Sequence, residues 1–249
     1  MPTRRLNQVL AIEKDIRQAT MRKLTDAHHA LQRPGMLEGI DKTYRPRDDD
    51  GVQLPPELGR VQATVTEMIE ATREALVDLF DVTAARDFSN GPGDSGAVAD
   101  VVVGDQVLIE KAPVAYLLWL ERQLDNLHTF ATKLPVHDPS TRWTLRDPRG
   151  VYQSEPVQTT RTEKQLRSIE LSPATKEHKA QVHPYEEHVV VGFWTTVKLT
   201  GSIPIAERAA LVQRIDRLRQ AVHSARETAN SVEAADPAPG TRLVSYIFG

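Results

Sequence analysis

Apolar residues along this chain fall into a few strongly periodic stretches, and the clearest runs from Ala99 to Leu134. Val101, Val102 and Val103 are β-branched and suit a pleated strand. Gly104-Asp105 supplies a tight turn, the glycine being free to take positive φ at the first central position of a II′ hairpin. Residues 106–109 return as a second strand, and Pro113 stands where a first helical turn tolerates a missing N–H. Leu117, Leu120, Leu124, Leu127, Ala131 and Leu134 then recur at alternating spacings of three and four, a helical stripe. Tyr116, Leu118 and Trp119 widen it, which predicts a helix covered on two sides.

The same reading extends along the chain. Val9, Ile12, Ile16, Leu24 and Leu31 predict a helix over 4–32, stopped by Pro34-Gly35. Residues 35–56 read as a long connection with repeated turn signals. A second helix is expected over 57–80, a short strand over 81–88 and a Gly-rich loop over 89–97. Looser alternation over 141–171 predicts a β-meander arm, followed by a polar loop holding His178 and His183. HVVVGFWTTVKL, 188–199, is a strand. In the last helix Leu211, Ile215, Leu218, Val222, Ala225, Ala229 and Val232 form a heptad stripe about 32 Å long. A Pro/Gly linker over 234–241 leads to LVSYIF, 243–248, expected as a terminal strand. The array is not the regular alternation of a parallel α/β protein. It predicts an α+β fold of long helices packed on an antiparallel sheet, with one domain over 1–233 and a linker and strand over 234–249.

Composition narrows the function. The 249 residues include no cysteine, so disulfides, thiolate nucleophiles and Cys-based zinc sites are excluded and a cytoplasmic, reducing compartment is favoured. Polar residues interrupt the basic N-terminal stretch, which does not read as a signal peptide. No apolar run is long enough to span a membrane. A net charge of -3 argues against a dedicated nucleic-acid coat.

Several constellations invite chemistry. Gly91-Pro92-Gly93-Asp94-Ser95-Gly96 matches G-x-G-x-x-G, but that fingerprint needs a strand before it and a helix after it. Here a strand follows, Asp94 would repel phosphate, and no cofactor is expected. Its Gly-Asp-Ser-Gly core resembles the nucleophile motif of chymotrypsin-like proteases over four residues only. The preceding His28 and His29 lie on a helix. Asp48, Asp50, Gly51 and Glu57 sit at four positions of an EF-hand-like loop whose first ligand position is Pro46. His183, Glu186, Glu187 and His188 cluster within six residues. His183, Glu186 and His188 are the candidate metal ligands, with Glu186 and His188 on one strand face and His183 in the loop before Pro184. Basic residues on the first helix, on the last helix (Arg214, Arg217, Arg219, Arg226) and on the arm (Arg161, Lys164, Arg167) would suit phosphate, although acidic residues interleave them.

Five phrases resemble an uncharacterised family of bacterial proteins, mainly actinobacterial, with relatives in phages: Lys42-Thr43-Tyr44, Ala99–Val103, Pro113–Leu118, Gly192–Lys198 and Ala229-Asn230-Ser231. They spread over most of the chain. The resemblance implies a single family unit and supplies no activity and no catalytic residues.

The leading expectation is therefore a non-catalytic, self-assembling structural protein, a ring, cage or filament subunit. Its partner is a second copy of itself. The expected interface comprises Leu211, Ile215, Leu218 and Val222 on the last helix and Leu243, Val244, Tyr246 and Phe248 at the terminus. The alternatives are a divalent-metal-dependent enzyme using His183, Glu186 and His188, and a nucleic-acid-associated protein. The two helical stripes could also pack on each other within one chain.

Overall fold

A computed structural model describes residues 5–91, 96–172, 179–233 and 237–249. The fold is mixed α+β with antiparallel sheets. Within the stretch 1–233 expected as one domain, the chain forms two compact units, and neither is continuous in sequence.

The first unit comprises residues 1–22, 74–133 and 209–249. It holds the first part of helix α1 (Leu6–Leu31) and the latter part of α3 (Val65–Asn90), the hairpin β3 (Val98–Val103) and β4 (Gln106–Pro113), α4 (Val114–Thr132), most of α5 (Ile205–Asn230), and α6 (Gly240–Phe248). Gly104 takes φ +61 at the hairpin turn, as its sequence required. The stripe of α4 meets the stripe of α5: Tyr116, Leu117, Leu120 and Leu124 form one buried cluster with Val222, Ala225 and Ala229, closed on the sheet side by Val101 and Ala112. Phe80, Trp119, Leu127 and Leu218 pack around it. The Thr20 hydroxyl donates to the Ala75 carbonyl at 3.1 Å, joining α1 to α3.

The second unit comprises residues 23–73 and 134–208. The end of α1 leads into a single turn, α2 (Pro34–Leu37), and then into β1 (Glu38–Pro46) and β2 (Glu57–Gly59). β5 (Trp143–Asp147), β6 (Val151–Ser154), β7 (Val157–Ser172) and β8 (Gln181–Thr200) complete an antiparallel sheet. Its order is β2-β1-β8-β6-β5, with β7 also pairing β8. Leu37, Val61, Val65, Leu134 and Ile203 are among the buried residues of this unit.

Four expectations are corrected. Residues 81–88 are not a strand but the continuation of α3, because Leu79, Val82, Thr83 and Asp87 keep the buried helical spacing. The connection 35–56 contains β1, which pairs with β8 along its whole length from Glu38↔Thr200 to Pro46↔Gly192. β8 begins at Gln181, so residues 181–187 of the loop expected over 172–187 are strand. Residues 243–248 are helix, not strand: Leu243 and Val244 each find an apolar residue four positions on, and among the described residues no strand pairs with them. Part of the expected linker, 234–236, lies outside the described residues.

Candidate functional site

The sheet of the second unit changes character along β8. From Gly192 to Thr200 it is flanked by β1, and Arg47 N–H extends that flank to the Val191 carbonyl at 3.0 Å. From there outward, among the described residues, β8 is paired only with β7, in continuous register from Thr162↔Val190 to Glu170↔Val182. The result is a two-stranded arm, 11 residues deep on the β7 side and so about 36 Å long. All of β7 except Arg161 is exposed, and so are residues 181–188 of β8. Leu166, Ile169, Leu171 and Val182 stand on this arm with more than half of their surface in solvent, Leu166 at 81%.

The root of the arm is built from aromatic rings and cations. Tyr44 and Trp194 are cross-strand partners with ring centroids 5.0 Å apart. Lys42 Nζ stands 4.7 Å from the Trp194 ring, and the Arg161 guanidinium 5.7 Å from Tyr44. The order Lys42, Trp194, Tyr44, Arg161 is a row of cation, ring, ring and cation on one face of the sheet, the two rings tilted to each other. Two of the phrases that carry the family resemblance, Lys42–Tyr44 and Gly192–Lys198, meet here as paired strands.

The arm separates the expected metal ligands. In the unbroken register His188 lies opposite Lys164, Glu186 opposite Leu166 and His183 opposite Ile169. Strand alternation puts Glu186 and His188 on one face and His183 on the other. Glu186 is also held by Lys164 at 2.8 Å, and Glu187 by Arg167 at 2.6 Å. Among the described residues no group of three His, Asp or Glu side chains could hold a metal ion. Glu57, expected last in the EF-hand-like loop, is a β2 residue paired with Lys42 at 2.9 Å. The Gly-rich motif at 91–96 falls at 92–95 outside the described residues, as does His178.

Carboxylates also hold Arg219, Arg226 and His223 on the last helix. Arg219 pairs with Asp125 at 2.5 Å and Asp216 at 3.2 Å, and Arg226 with Glu121 at 3.0 Å. His223 bridges Glu121 and Glu227, each at 3.1 Å. This polar seam borders the α4–α5 core, and the hydrophobic stripes alone did not reveal it. Its signal was the charged residues one helical turn apart on each flank.

A cleft of about 690 Å³ in the second unit is lined by Gly39, Ile40, His137, Asp138, Trp143 and Lys198, among others. His137 is 8% exposed, packed edge-on to Tyr152 at 4.3 Å, with Nε2 2.8 Å from the Ser202 carbonyl. Burial pushes its pKa below the ordinary 6.5, against the opposing pull of the Ser202 carbonyl and Glu207. The imidazole engages the Ser202 carbonyl; the Ser202 hydroxyl instead accepts from Thr200 at 3.1 Å. This His-Ser pair is thus not the nucleophile-and-base geometry of a hydrolase.

Of the expected interface residues, Val222 is fully buried in the core of its own chain, and Leu218 packs against the same cluster. Leu211 and Ile215 are half-buried. Leu243, Val244, Tyr246 and Phe248 lie on α6 with 59%, 54%, 90% and 83% of their surface exposed, and Ile247 joins them at 67%. At 100° per residue Leu243, Ile247, Val244 and Phe248 form one continuous apolar face, with Arg242 and Ser245 behind it.

The protein is a mixed α+β chain in which α6 and the β7–β8 arm hold exposed apolar side chains. Its sequence places it in DUF7873, a family of unknown function whose profile matches residues 3–249, and the chain belongs to that family. No curated protein and no solved structure matches it. No helix among the described residues is long and apolar enough to cross a membrane.

Proposed function

We propose that this chain is a cytoplasmic structural subunit whose work is to assemble with copies of itself, without catalysis of its own. The observation that carries the proposal is α6. Five large apolar side chains crowd a nine-residue helix and each keeps more than half of its surface in water. Contiguous apolar patches of this kind mark surfaces that a partner covers. The arm supports the same reading, because a two-stranded ribbon is at best marginally stable by itself in water. Both elements are present in every copy, so a homo-oligomer can cover them without a second kind of chain.

The test is absolute mass by light scattering on a sizing column. The full chain should elute as a discrete multiple of 27.8 kDa. Removing 240–249 should lower that multiple while the helical signal of the remainder persists. A full-length chain that runs as a 27.8 kDa monomer at all concentrations overturns the proposal.

A further inference from the structure

We propose that β7 pairs edge to edge with β7 of a second copy, antiparallel, about a two-fold axis at Gln165. The inference rests on the homo-oligomer reading and adds the contact and its register. Three observations lead to it.

First, among the described residues β7 hydrogen-bonds only with β8, so its other edge is open over 16 residues. Open edges recruit strands. Second, a third and fourth strand would turn a marginal ribbon into a small sheet.

Third, the charges along β7 and the length of strand paired together choose one register. In an antiparallel pair a residue whose N–H and C=O point outward must face another of the same kind, so a two-fold axis must pass through a residue. Centred on Glu163, Lys164 or Arg167, the pair sets that residue against its own copy, and the Lys164 register also opposes Arg161 to Arg167. Centred on Leu166, it makes no opposite-charge pair. Centred on Thr162, it sets Arg161 against Glu163 twice, but it pairs only residues 157–167 and leaves Ile169 and Leu171 uncovered. Centred on Gln165, it sets Glu163 against Arg167 twice, opposes no like charges and pairs residues 158–172. Leu166 then lies beside Lys164 and Ile169 beside Arg161, whose aliphatic stems can cover them. Opposite charges across strands favour a register and like charges penalise the rest. The charged residues that would keep a strand edge solitary here penalise the pairings centred on Glu163, Lys164 and Arg167, and the overlap of 158–172 favours Gln165 over Thr162.

The chain has no cysteine, so one introduced thiol reports the contact cleanly. Facing residues in an antiparallel pair stand about 4.5–5.5 Å apart between Cα atoms, within disulfide reach. Gln165→Cys in the full chain, mildly oxidised, should become a covalent dimer on a non-reducing gel. Glu163→Cys should not, because its copy would lie about 13 Å along the strand. Mixing Glu163→Cys with Arg167→Cys should restore the cross-link. Light scattering on the unmodified chain separates the two proposals. A multimer whose Gln165→Cys variant fails to cross-link, or cross-links no better than Glu163→Cys, overturns the β7 contact and leaves self-assembly standing. A monomer overturns both.

Discussion

The phenol of Tyr44 lies over the backbone of Gly192, and its hydroxyl donates to the neighbouring Val191 carbonyl at 3.1 Å. This contact sits where β1 stops flanking β8 and the arm begins. A methyl group on residue 192 would overlap the phenol ring and its oxygen. The absence of a side chain at Gly192 is what lets Tyr44 close the root of the arm, with Trp194 and Arg161 against it.

Gly192→Ala should therefore destabilise the second unit by about 1–3 kcal/mol, the usual cost of overpacking. Tyr44→Phe keeps the ring and loses one hydrogen bond, so it should cost only about 1 kcal/mol. Urea unfolding followed by tryptophan fluorescence checks both, since Trp194 touches Tyr44. Equal losses in the two variants would mean that steric fit at Gly192 is not what matters.

The start of α3 offers a second test. Thr64 N–H donates to the Glu67 carboxylate and Glu67 N–H donates back to the Thr64 hydroxyl, both at 3.2 Å, a reciprocal capping box. The Thr64 hydroxyl also donates to the Arg149 carbonyl at 2.6 Å, and Arg149 pairs with Glu67 at 2.8 Å. Thr64→Ala should cost about 2 kcal/mol, at the upper end for a cap because the lost hydroxyl is buried. Thr64→Ser should recover most of it in the same thermal melt.

Much of the fold was legible from pattern, and the exceptions have physical causes. Residues 98–134 were clear because a β-branched hairpin, a glycine turn and a long apolar stripe agree with one another. The true start of α3 was also written in the sequence as Thr64-x-x-Glu67, but the Pro55-Pro56 break drew the helix start to residue 57. LVSYIF is ambiguous by composition, since six apolar-rich residues suit either period, and β-branched and aromatic content tilted the balance to strand. The metal reading depended on Pro184 ending the strand. Instead Pro184 lies inside β8 opposite Ser168, on a two-stranded arm that tolerates it, and alternation carries His183 to the other face. The charge match along β7 was unreadable before the pairing partner and the open edge were known.

His137 predicts a pH dependence. Burial lowers its pKa below 6.5, so the folded chain binds this proton more weakly than the unfolded one. The stability it contributes is complete above 6.5 and is lost as pH falls through the lowered value. His137→Phe should remove that part of the dependence in denaturation curves recorded between neutral and mildly acidic pH. Glu67 acts in a lower window. Arg149 and Thr64 hold its carboxyl below the ordinary 4.5, so its contribution persists until the pH drops past that value. Glu67→Gln should leave the His137 window intact, which separates the two groups.

The two apolar stripes near the C-terminus make opposite predictions. Val222 is enclosed by α4 of its own chain, so Val222→Asp buries an unpaired charge and should unfold the first unit outright. Ile247 is largely exposed on α6, so Ile247→Asp removes an apolar contact only if another copy supplies it. Far-ultraviolet dichroism and Tm of Ile247→Asp, measured at concentrations where the parent chain is monomeric, should match the parent. At higher concentration its mass by light scattering should fall below that of the parent. If Ile247→Asp lowered Tm in the dilute sample, α6 would be packing on its own chain. The apolar face that motivates assembly would then already be covered.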